Sequence, residues 1–160
     1  MNQLFLITGG NIGDRKKNLE NAAALIYERI GTVVKSSKIY ETEAWGITDQ
    51  PAFYNQVLVV ESNFSAKEVL SKILQIEEEM GRKRTIKNAA RIIDIDILFF
   101  NEEIVNEQNL VIPHPQISNR RFVLLPLSEL APQMVHPVFK KTIHQLLLQT
   151  KDQLKVNAVM

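Results

Sequence analysis

The apolar residues of this chain change period in a set order, and that order constrains the fold more than any single motif does. "QLFLIT" at 3–8 is a short apolar run that reads as a buried strand, with Gly9, Gly10 and Gly13 expected to make the turn that follows it. Leu19, Ala22, Ala23, Ile26 and Ile30 then recur at helical spacing, with Asp14 as N-cap and Gly31 at the position after the helix end. "TVVKSSKIYET" (32–42) and "QVLVVESN" (56–63) read as strands. Between them, 43–54 is a loop of a length that is usually functional or disordered in compact domains. Ser65 and Glu68 form a capping box for a second helix carrying Val69, Leu70, Ile73, Leu74, Ile76 and Met80 up to Gly81. "IIDIDILFF" (92–100) is the next strand. The order βαββαβ predicts an α+β, ferredoxin-like fold in which an antiparallel sheet is backed by two helices. Additions at the carboxyl end are a hairpin-like stretch at 103–112, the loop "PHPQISNRR", a helical turn near 122–130 and a helix over 142–149.

Residues 1–160 fit one domain, because domains peak at roughly 100–150 residues. A net charge of +1 argues against a general polyanion binder, so nucleic acid is not an expected partner and any nucleotide site must be local. The absence of cysteine rules out disulfides and thiolate metal sites. The first residues carry no cationic segment and only a short apolar run, so neither a signal peptide nor a membrane span is expected, and the chain is expected to be cytoplasmic and monomeric.

Chemistry concentrates around the last of the four strands. Alternation along it should turn Ile93, Ile95, Ile97 and Phe99 one way and Asp94 and Asp96 the other. The two aspartates would then stand side by side with Cα atoms roughly 7 Å apart, either on a solvated face or as hard oxygen ligands for magnesium. Arg82, Lys83, Arg84, Lys87 and Arg91 precede them, read either as a solvated loop or as a clamp for a phosphate chain. "TGGNIGD" lacks the spacing of either glycine-rich phosphate loop and reads as a tight turn. Trp45, Phe53 and Tyr54, edged by Thr42 and Asn55, either pin the long loop to the core or line a slot for a planar heterocycle. His114 reads as a rigid surface histidine or as a ligand or base, and Arg120 and Arg121 as solvated charges or as further phosphate contacts.

In order and spacing, "GGNIGD", "YETEAWGITDQPAFYN", "EEEMGRKR", "RIIDIDILFF" and "IPHPQISNRRFVLLPL" resemble the signature blocks of the hydroxymethyldihydropterin pyrophosphokinases of folate biosynthesis, from about residue 4 to about residue 135. The resemblance implies ATP and the reduced hydroxymethylpterin as substrates and AMP as a product. It puts two magnesium ions on Asp94 and Asp96, and Arg82, Arg84 and Arg91 on the phosphates. Further ATP contacts would come from Glu77, Ile97, His114 and Arg120. The pterin would stack between Phe53 and Phe122, read by Thr42, the backbone near Trp45, and Asn55. The family's common "GSN" is "GGN" here, its frequent "WGPR" is "NAAR" at 88–91, and a frequent helix glutamine is Leu74. The alternative is a non-catalytic ferredoxin-like module that binds a nucleotide and regulates a partner; a nucleotide-sugar transferase would need a larger domain.

Overall fold

The structure, a computed structural model, describes residues 1–43, 50–81 and 90–159. Trp45, Arg82 and Arg84 lie outside the described residues. In chain order the elements are β1 (Asn2–Gly10), α1 (Arg15–Arg29), β2 (Thr32–Ser36), β3 (Tyr40–Thr42), β4 (Phe53–Ser62), α2 (Ala66–Glu79), β5 (Asp94–Phe100), β6 (Val105–Glu107), β7 (Leu110–Ile112), α3 (Arg121–Leu130), α4 (Ile143–Gln149) and β8 (Val156–Ala158). A six-stranded sheet runs β5-β1-β4-β3-β8, with β2 also on β4, and the pairs are antiparallel. Without β8, this is the strand order of the expected ferredoxin-like core.

The expected strand over 32–42 is two strands. Ser37 interrupts it: its N–H donates to Val57 O at 2.9 Å while its hydroxyl accepts from Val57 N at 3.0 Å, so a side chain replaces a ladder carbonyl. The helices begin where their caps predict. The Asp14 side chain accepts from Lys17 N, and Ser65 and Glu68 complete a reciprocal capping box. The helical turn expected near 122–130 is a ten-residue helix.

Apolar side chains pack on both faces of the sheet. On one face Leu4, Leu6, Leu58, Val60, Ile93, Ile95 and Ile97 meet Leu19 and Ile26 of α1 and Val69, Ile73 and Ile76 of α2. On the other, Phe5, Ile7, Val57 and Val59 meet Val123, Leu124 and Leu127 of α3 and Ile143 and Leu146 of α4. Phe99 departs from the expected alternation. The register on β1 slips between Phe5–Phe99 and Leu6–Ile97, so Leu98 is an extra residue; Leu98 and Phe99 join the α3/α4 side and Phe100 joins the α1/α2 side. Asp94 and Asp96 precede this bulge and keep the predicted common face.

The glycine turn is also different. β1 continues through Gly10 and the chain turns only after it. Gly10 is required by close approach of backbone, since a Cβ on it would stand 2.2 Å from Ile92 O, whereas a Cβ on Gly9 would meet the side-chain end of Asn55, 2.0 Å from Nδ2.

Candidate active site

Cross-strand register builds the site. Asp94 of β5, Gly9 of β1 and Asn55 of β4 lie directly opposite one another in a row across the sheet, so their side-chain directions share the α3/α4 face. Strands are about 4.8 Å apart, so Asp94 and Asn55 stand roughly 10 Å apart over a glycine that fills nothing. Phe53 pairs with Thr42 one step further along β4. A pocket opens over this floor, bounded by Thr42, Glu43, Phe53, Asn55, Arg91, Asp94, Arg120, Phe122 and Leu154. The Thr42 hydroxyl is buried there with no hydrogen-bond partner among the described residues, and a buried orphan hydroxyl lining a pocket suits a ligand that supplies the missing bond. Asn55 donates to Thr8 O at 3.3 Å.

Phe53, Asn55 and Phe122 are therefore brought together as expected, whereas Tyr54 is not. Phe53–Ser62 is one strand, so alternation turns Tyr54 to the helix side, where the Arg15 guanidinium sits 3.8 Å from its ring centroid. Arg15 is held there by Glu41 at 3.0 Å and Ala52 O at 2.8 Å.

A second pocket opens on the outer side of β5, lined by Leu70 and Ile73 of α2, Ile95, Asp96, Ile97, residues 108–111, His114 and Pro115. Leu74 and Gln75 face solvent and take no part in it. The two pockets adjoin along β5: Asp94 lines the first and Asp96, two residues on, the second. Arg91 Nη1 binds Asp94 Oδ2 at 3.0 Å, and its guanidinium lies 5.3 Å from the centre of the Phe53 ring. His114 Nε2 approaches Asp96 Oδ2 at 4.0 Å while its Nδ1 accepts from Gln116 N at 3.1 Å, which sets the tautomer with Nε2 protonated. Burial lowers the His114 pKa, opposed by the Asp94 charge and assisted by Arg120. Glu77 is buried on α2 behind the strand, its carboxylate accepting from Ile95 N at 2.8 Å.

Asn11 passed unremarked in the sequence. Its side chain donates to Gln50 Oε1 and Pro51 O, each at 2.9 Å, and accepts from Arg91 N at 2.8 Å; its backbone N–H donates to Arg91 O at 2.9 Å. One buried amide thus holds a residue pair on the β3–β4 connection and the arginine at the entrance to β5. Glu43, which lies in the block "YETEAWGITDQPAFYN" without an expected role, and Leu154, which carries no motif, are also pocket residues.

Among the described residues no three His, Cys, Asp or Glu side chains gather as a metal cage. Two strand carboxylates with an open pocket on each side nevertheless fit magnesium, which takes one or two carboxylates and completes its shell with water and substrate phosphate.

Adjoining pockets, each bordered by one of two carboxylates on the same strand, suit a protein that passes a charged group from a ligand in one to a ligand in the other. The family model described as 7,8-dihydro-6-hydroxymethylpterin-pyrophosphokinase matches residues 5–132, and the chain belongs to that family. The 2-amino-4-hydroxy-6-hydroxymethyldihydropteridine pyrophosphokinase of Bacillus subtilis is 40% identical over 83% of this chain and 80% of its own length. That of Aquifex aeolicus is 36% identical, over 91% of this chain and 90% of its own. The chain also matches a longer relative, the folic acid synthesis protein of Pneumocystis carinii, at 37% identity, but spans only 18% of it. The fold is shared with the crystallised Plasmodium falciparum HPPK-DHPS, with a TM-score of 0.76 and 22% identity over 93% of this chain and 43% of that one.

Proposed function

We propose that this chain transfers a diphosphate group from ATP to the hydroxymethyl oxygen of 6-hydroxymethyl-7,8-dihydropterin, releasing AMP, as an enzyme of folate biosynthesis. The observation that carries this reading is the meeting of a flat aromatic pocket and a second pocket at the Asp94–Asp96 pair. The pterin ring stacks between Phe53 and Phe122. Thr42 and Asn55 read its polar edge, with the backbone near Trp45 adding to them. The nucleotide occupies the second pocket beside Ile97 and His114. Glu77 serves it through the strand, by fixing the Ile95 amide at the pocket wall.

Asp94 and Asp96 are the residues that would hold two magnesium ions, which when bound supply positive charge to the triphosphate. Arg82, Arg84, Arg91 and Arg120 add charge-assisted bonds to the phosphate oxygens. The hydroxymethyl oxygen forms a bond to the β-phosphorus as the bond from that phosphorus to the α,β-bridging oxygen breaks. The electron pair leaves on AMP. The hydroxyl proton departs late to solvent, so the chain needs no side-chain base, and positioning and charge neutralisation supply the rate. No helix among the described residues is long and apolar enough to cross a membrane. The enzyme is taken to work as a cytoplasmic monomer.

Incubation with ATP, magnesium and the reduced hydroxymethylpterin should yield one AMP per pterin diphosphate, resolved by chromatography. ADP as the nucleotide product, or no pterin-dependent turnover, would refute the assignment.

A further inference from the structure

The residues after α4 carry no motif and lie beyond the segment matched by the family model, yet they reach the substrate pocket. We propose that the carboxyl-terminal segment is a built wall of the pterin pocket, in which Leu154 contacts the substrate and sets its fit while Asp152 positions the opposite wall. This rests on the reading of that pocket as the pterin site.

Two hydrogen bonds lock the segment to the start of α3, and a third shapes the segment itself. Asp152 Oδ2 accepts from Arg121 N at 2.8 Å, Asp152 Oδ1 accepts from Leu154 N at 3.0 Å, and Arg121 Nη1 donates to Leu154 O at 3.0 Å. Arg121 is the first residue of α3 and its N-cap has no side-chain cap of its own, so the Asp152 carboxylate supplies that end with an acceptor and a negative charge. The residues on either side of Arg121 are Arg120 and Phe122, both in the pocket wall. Fixing Arg121 therefore fixes where those two side chains start.

The other end of the segment is fixed as firmly. β8 pairs antiparallel with β3, Val156 opposite Thr42 and Ala158 opposite Tyr40, and Val159 N donates to Ile39 O at 2.7 Å. Leu154 stands two residues before the partner of Thr42, between β3 and the start of α3. It closes the gap between the hydroxyl side of the pocket and the Phe122 side with a half-buried aliphatic group. A leucine held by its own backbone at both ends is a rigid contact, and rigid contacts shape specificity by what they exclude as well as by what they touch.

The test measures binding of the reduced hydroxymethylpterin by its fluorescence without ATP, steady-state KM for each substrate, and melting temperature. Leu154→Ala should weaken pterin binding about tenfold, the scale expected for losing an aliphatic contact, and raise the pterin KM while the ATP KM stays within about twofold. Leu154→Trp should block the pterin more severely, and Leu154→Met should bind it as the wild type does. Asp152→Ala should raise the pterin dissociation constant, and Asp152→Asn, which retains an acceptor and the shape, should recover part of the loss. Wild-type pterin affinity in both Leu154→Ala and Leu154→Trp, with unchanged melting temperatures, would overturn this inference alone. A wild-type chain that binds no pterin would overturn the functional reading and this inference with it.

Discussion

At the scale of single residues, the same property makes a side chain costly and useful. Asp94 and Asp96 share one face of one strand, where like charges repel until a cation intervenes, and Arg91 already engages Asp94 at 3.0 Å. Asp96 lies at the boundary of the second pocket with its side chain 44% exposed, so its removal leaves no cavity in the core. Asp96→Ala should keep the fold, checked by its urea midpoint, and lose about 4 kcal/mol of transition-state stabilisation, roughly a thousandfold in kcat. Near-normal AMP production by the folded variant would sink the metal assignment. Gly10 is constrained in the opposite sense, by space. The family's common serine has no room here, because a Cβ would stand 2.2 Å from Ile92 O and 2.9 Å from Ile92 C, and backbone atoms do not swing away as a side-chain end does. Gly10→Ser should cost about 1–3 kcal/mol, as overpacking usually does. A melting temperature equal to that of the wild type would show that the Ile92 backbone yields.

At the scale of elements, what could be read in the sequence was local, and what could not was long-range. Both long helices were legible because each carries its own cap and apolar stripe: Asp14 accepts from Lys17 N, and the Ser65–Glu68 box closes as its spacing requires. The common face of Asp94 and Asp96 was legible because strand alternation needs only neighbours in the chain, whereas Phe53 and Asn55, expected on the long loop or at its edge, lie in β4. Tyr54 was misread because β4 begins earlier than its aliphatic run, and Phe99 because the bulge at Leu98 is visible only against β1. Asn11 and Leu154 act through partners some 40 to 80 and 30 residues away, which no periodicity encodes. The loop after α3 shows the same limit. His136 is buried between Phe99, edge-on at 5.6 Å, and Phe139, stacked at 4.4 Å, and its Nδ1 accepts from Val138 N and Phe139 N. Burial lowers its pKa, so folding favours the neutral ring. The stabilisation is complete above the ordinary histidine range near about pH 6.5 and is lost as pH falls through the lowered folded value. Urea midpoints measured from pH 7.5 down to 5 should fall more steeply for the wild type than for His136→Asn, which removes this titration and leaves His114 and His144 in place. Parallel curves would show that the ring does not control the loop.

At the scale of the whole molecule, the sheet holds two pockets apart and brings them together at one place, the start of β5. α1 and α2 cover one face, and α3, α4 and the carboxyl-terminal segment cover the other only in part. The uncovered end of β1, β4 and β5 is the pocket floor over Gly9. The groups proposed to bind the pterin, Thr42, Phe53, Asn55 and Phe122, lie across that floor from Asp94, on strand pairs and a helix start held by backbone and side-chain hydrogen bonds within the chain. The second pocket is different. On the proposed function it would bring Asp96 against the phosphate chain, where anion would face anion unless a cation stands between them. The two ligands should therefore respond differently to loss of magnesium. A ligand at one hundred times its dissociation constant stabilises the folded state by about 2.7 kcal/mol, roughly 5–10 °C in melting temperature for a chain of this size. With magnesium present, the pterin and a non-hydrolysable ATP analogue should each raise the melting temperature on that scale. Addition of EDTA should abolish most of the increment from the nucleotide and leave that from the pterin unchanged. A nucleotide increment that survives EDTA would show that the arginines and His114 hold the phosphates without the aspartates, and the role given to Asp94 and Asp96 would then pass to Arg91 and its neighbours.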